Sequence, residues 1–172
     1  VLEIIRQESY YFYPQYMTKI INEGFASFIH AEIMLKLECI EGPDYLDFCR
    51  IHERVVQPGG NHLSINPYFL GFSILTDIRR IWDEKFEDGE SEINGLQKVY
   101  EVVRDEDDIS FIRNYLTEEL SKDLKLFSYE NLKIPNDGEA IHILDTELDI
   151  IKEAIIKSLY NYRAPLVCIT SI

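Results

Sequence analysis

The chain has 172 residues, 46% hydrophobic and 28% charged, enough for one domain, or one and a part, with a sizeable core. A formal net charge of −14, with only 17 Lys and Arg scattered along the sequence, argues against a nucleic-acid or anionic-membrane surface. No run approaches the roughly 18 apolar residues of a membrane span, and Cys39, Cys49 and Cys168 lack the spacing of a thiolate zinc site or a disulfide frame.

Helix signals dominate the first two thirds. The apolar positions Leu2, Ile5 and Phe12 predict a first helix over 1–13, stopped by Pro14. A second is predicted from about Met17 to Leu37. Asn66-Pro67 is a helix start, with Asn as N-cap and Pro at the first helical position, followed by Leu70, Ile74, Ile78 and Ile81 at helical spacing until near Gly89. The stretch from Gly95 to Val103 leans to helix. Asp107 and Asp108 are placed to cap a further helix running through Ile112 and Leu116 to Leu120.

Beyond Leu124 the pattern changes. Lys125–Glu130 and Glu139–Leu144 are short and strand-like, joined by the turn cluster Pro135-Asn136-Asp137-Gly138. Residues 145–161 read as a helix and 164–172 as a strand. The expected class is therefore α+β, with a helical part over 1–124 and an incomplete α+β module over 125–172. The chain opens and closes inside apolar elements, which predicts an internal piece of a longer protein.

The stretch Thr18 to His30 is the most informative. At about 100° per residue, Lys19, Asn22, Glu23, Ala26, Ser27 and His30 share one sector, while Glu32 and Lys36 point nearly opposite. Taking Glu32 and Lys36 as the solvent side predicts that the first stripe is sheltered, where its charges must be paired or ligated. Gly24 in the middle of this helix costs roughly 1 kcal/mol relative to Ala. It implies the close approach of another backbone or of a ligand.

Asn22-Glu23-Gly24-Phe25-Ala26 resembles the second motif of zinc aminopeptidases of the HExxH class. The wider context, Tyr10-Tyr11-Phe12-x-Pro14-Gln15, Asn66-Pro67-Tyr68-x-Leu70-Gly71-Phe72, Ser110-Phe111-Ile112-Arg113-x-Tyr115 and Lys125-Leu126-Phe127-x-Tyr129, resembles the stage V sporulation protein R (SpoVR) family along the whole chain. Phe25 departs from the Trp usual there in the family, and matches the aminopeptidase motif. The resemblance implies a cytoplasmic bacterial protein linked to spore-cortex assembly or stationary-phase stress. It also implies a zincin-like helix remnant whose two histidine ligands lie upstream of this chain.

On that reading Glu23 is a Zn²⁺ ligand, His30 and Tyr68 are catalytic candidates, and Asn22, Lys19 and Ser27 support the centre. His30 lies about 10.5 Å along the helix from Glu23 at about 1.5 Å per residue, too far to share an ion with it. Tyr68 is a candidate oxyanion donor. His52 is a weaker candidate, His62 reads as a surface-loop residue, and His142 as the polar face of a strand. The implied activity is metal-dependent hydrolysis of a peptidoglycan or related peptide amide. The alternative is a non-catalytic scaffold docking a kinase-like or von Willebrand-type protein.

Overall fold

A computed structural model describes residues 2–37, 42–58, 65–134, 138–145 and 147–160. The described residues form helices α1 (Leu2–Met17), α2 (Lys19–Lys36), α3 (Gly42–Val55), α4 (Pro67–Glu87), α5 (Gly95–Asp105), α6 (Asp108–Tyr115), α7 (Glu118–Asp123) and α8 (Leu148–Tyr160). The one other regular feature among them is a lone antiparallel ribbon of β1 (Ser128–Ile134) and β2 (Gly138–Asp145). The expected α+β class is thus corrected: the fold is helical. A single two-stranded ribbon cannot form a sheet layer with a core of its own. The terminal strand expected at 164–172 lies outside the described residues.

The structure separates into two compact units, Val1–Phe111 and Ile112–Ile172; the division expected at Leu124 falls inside the second. In the first unit the core is built where α2 meets α4. Ile20, Ile21 and Phe28 of α2 and Leu70, Ile74, Leu75 and Ile78 of α4 are buried, with Val99 and Val102 of α5. The crossing is unusually close. A Cβ added at Gly24 would lie 2.4 Å from the Gly71 carbonyl carbon, and one added at Gly71 would lie 2.2 Å from the Ile20 oxygen. Backbone meets backbone there, with no space for a side chain on either helix. The same device recurs once: a Cβ at Gly95, where α5 starts, would lie 2.1 Å from the Arg79 oxygen.

Helix ends follow local chemistry in most places. Asn66 accepts from the Tyr68 N–H and Asn94 from the Gln97 N–H, the latter as a full capping box. Asp107 accepts from the Ser110 N–H at 2.8 Å and so caps α6. The helix expected to continue from there to Leu120 is interrupted, because Thr117 caps α7 through the Leu120 N–H. Pro14 does not stop α1 either; it lies one turn from the end, and its carbonyl accepts from the Thr18 hydroxyl at 2.8 Å.

One end is capped at long range. Thr18 precedes α2 but offers no side-chain cap. The carboxylate of Asp108, fully buried, instead accepts from the Ile20 and Ile21 N–H groups, each at 2.8 Å. A negative charge on otherwise orphaned amides at a helix N-terminus satisfies both the donors and the dipole. In the second unit, Ile112, Leu116, Ile151, Ile155 and Ile156 are buried. There Arg113 grips Glu153 with two hydrogen bonds of 2.8 and 3.1 Å.

Two outcomes test this architecture. Gly24→Ala forces the two backbones apart and should destabilise the first unit by about 3 kcal/mol, the upper range of overpacking; urea denaturation measures it. Asp108→Ala leaves two buried amides without an acceptor and should cost about 2–4 kcal/mol in the same assay, with Asp108→Asn in between.

Candidate functional site

The α2–α4 crossing fixes which side of α2 is inside. Met17, Ile20, Ile21, Gly24, Ser27 and Phe28 are buried. Glu32, taken from the sequence as marking the solvent side, sits at the border of that sector. It is half-buried and paired with Arg79 of α4, with Lys36 3.0 Å away. Both cations hold its carboxyl below the usual carboxylate range against the opposing effect of burial, which is the largest single influence. The expected shelter of the opposite stripe is corrected accordingly. Lys19, Asn22, Ala26 and His30 are exposed, Glu23 is half-buried, and only Ser27 of that set is buried.

Each stripe residue has a definite place. Asn22 donates to the Thr18 hydroxyl at 2.9 Å and so ties the short joint between α1 and α2. Phe25 packs edge-on against Tyr100 of α5, with centroids 5.9 Å apart. Glu23, one residue before the crossing glycine, lies near enough to Tyr68 for its carboxylate to act on the phenol. Tyr68 lies in the first turn of α4, three residues before Gly71. The neighbouring Glu23 carboxylate, aided by partial burial, pushes the phenol pKa above its ordinary value of 10.0. Two candidates from separate segments are therefore brought together.

His30 takes a different course. Its ring meets Phe48 at 5.2 Å, Phe48 meets His52 at 5.4 Å, and His52 meets Phe72 at 5.0 Å. These rings join α2, α3 and α4. The buried Nε2 of His52 has no hydrogen-bond partner among the described residues. Burial, and secondarily the nearby His30, depress the His52 pKa below 6.5. His62 lies outside the described residues, and the described part of His142 is its backbone in β2.

A family model described as SpoVR-like protein matches residues 1–164. The chain belongs to the SpoVR-like family. It is also similar to the uncharacterised Escherichia coli K12 protein YcgB, 36% identical over 141 residues, which are 74% of this chain and 28% of that protein. The chain thus spans under a third of the length of this SpoVR-like relative. No solved structure matches it. No helix among the described residues is long and apolar enough to cross a membrane.

Among the described residues no three His, Cys, Asp or Glu side chains are grouped to hold a metal ion. Stable zinc sites use three or four protein ligands, so the residues described here do not fit the ion by themselves. Sequence reasoning missed two contributors. Asp108 sets the start of the Glu23 helix, yet the capped amides lie 87 and 88 residues away. Helix α3 sets Phe48 against His30 and carries His52, already a weaker candidate; signals for the helix itself were Pro43 near the start and Asp44 in the first turn.

His52 gives a pH test. Its folded pKa lies below its unfolded value, so the unfolded chain binds the proton first as pH falls. The associated stability is whole above about pH 6.5 and declines as pH drops through that value toward the folded pKa. His52→Gln should flatten the stability profile between about pH 5 and 7, measured by urea midpoints at stepped pH.

Proposed function

We propose that this stretch contributes one half of an amide-hydrolysing centre in a longer SpoVR-like protein, with Glu23 and Tyr68 as its working groups. The observation that carries the reading is the Gly24–Gly71 backbone contact, which sets Glu23 of α2 and Tyr68 of α4 near enough for the carboxylate to raise the phenol pKa. A carboxylate on a rigid helix beside a phenol donor matches two recurring needs of amide cleavage. One is an anionic group to hold or deprotonate a nucleophile, and the other is a donor for a developing oxyanion. The substrate in this proposal is a cell-wall or related peptide amide, following the family's link to spore-cortex assembly and stress.

Zinc belongs to the proposal only as an ion completed by donors beyond this chain, since Glu23 alone cannot retain it. His30 then lies toward substrate on the exposed side of α2. A second reading is favoured by the charge of −14 and the large apolar residues exposed on α1: a scaffold that docks a kinase-like or von Willebrand-type protein.

Zinc titration separates the two. This chain should bind zinc weakly, whereas the full-length protein should bind about one ion tightly and lose it on Glu23→Ala with its helical content intact. Equal, weak binding by both proteins removes the hydrolase reading and leaves the scaffold.

A further inference from the structure

Helix α1 is exposed along almost its whole length within the first unit. Every residue from Leu2 to Tyr16 is exposed, and Met17 is its only buried one. The exposure falls on eight large apolar groups: Leu2 84%, Ile5 55%, Phe12 51%, Tyr13 45% and Tyr16 51% toward one side, and Ile4 65%, Tyr10 67% and Tyr11 72% around the rest of the helix. At about 100° per residue the first five, with Ser9 among them, fall within about 100° of arc. That is the width of a stripe that normally faces a core.

Such a helix does not sustain itself. Four tyrosines, a phenylalanine and Pro14 crowd its second half, all weaker helix formers than Ala or Leu. A lone helix of this length is marginal in water even when rich in Ala. Its internal contacts are exposed: Gln7 to Glu3 at 3.3 Å, Arg6 to Glu3 at 3.7 Å and Arg6 over the Tyr10 ring at 5.7 Å. Interactions of that kind do not replace burial.

We propose that the Leu2–Ile5–Phe12–Tyr13–Tyr16 face is a docking surface for an apolar element of the same polypeptide, supplied by the part of the SpoVR-like protein outside this stretch. The length of that protein is the argument for this occupant. The matched segment is 28% of the relative, so 72% of it lies elsewhere along the same chain. Its local concentration is set by chain connection rather than by diffusion. A second copy of this chain is disfavoured, because it would bring a further charge of −14 against the first. The inference does not rest on the hydrolase reading. Only Thr18 separates α1 from α2, so the docked element would begin its cover next to the start of the Glu23 helix.

The test uses the full-length protein, with a photo-cross-linking amino acid in place of Phe12 and hydrogen exchange read over α1. Expected are a cross-link to a peptide from outside this stretch at monomer mass, and α1 amides slowed at least about 100-fold relative to an unfolded chain. An Ile5→Lys/Phe12→Lys variant should release that protection while the amides around Leu70–Ile78 stay slow, which separates undocking from global unfolding. A cross-link at dimer mass assigns the face to a second copy and overturns the proposal. Freely exchanging α1 amides in the full-length protein also overturn it. Zinc binding in the undocked variant, read separately, distinguishes failure of this surface from failure of the Glu23 centre.

Discussion

Two glycines in backbone contact govern the first unit. Because Gly24 and Gly71 leave no room for a Cβ, α2 and α4 approach until the carbonyl of Ile20 lies against the Gly71 Cα. That closeness lets Ile20, Ile21 and Phe28 interdigitate with Leu70, Ile74 and Ile78. It also sets the site: Glu23 adjoins one glycine and Tyr68 lies one helical turn before the other. The separation of carboxylate and phenol is therefore decided by packing beneath them, and any change that spreads the crossing would part them.

Four charged groups in this unit help to hold that geometry. Asp108 is buried on the amides at the start of α2. Arg79 joins Glu32 on α2 to Asp83 on its own helix, and Asp83 in turn accepts from the Gly95 N–H at 2.7 Å. A chain of ionic contacts thus runs from α2 through α4 to the start of α5, beside the second glycine contact. The strongly acidic composition does not translate into an undifferentiated acidic surface, because several of its carboxylates are structural acceptors.

Much of the helical framework was legible. Asn66-Pro67 announced α4 because its cap and first-turn proline act within three residues, and Gly24 announced a close approach because helix interiors disfavour glycine. The orientation of α2 was not legible. Periodicity gives the angles between residues but not which sector faces inward, and a half-buried Glu32 on Arg79 looks, in sequence, like a solvent-facing charge. The capping role of Asp108 escaped for a related reason: nothing local links it to amides 87 and 88 residues away. The strand-like alternation beyond Leu124 was read as a module, yet alternation reports only local pairing and carries no count of strands.

The Asn-Glu-Gly motif illustrates how packing and function divide within a few residues. Asn22 is occupied with the Thr18 hydroxyl, Gly24 with the crossing, Phe25 with Tyr100, and Ser27 is buried. Each of these residue types has a structural reason to be where it is. Glu23 differs. A carboxylate near a tyrosine at a half-buried position adds little stability by itself. Glu23 is the one charged residue of the motif, and function is best sought in what approaches its carboxylate from the open side of α2.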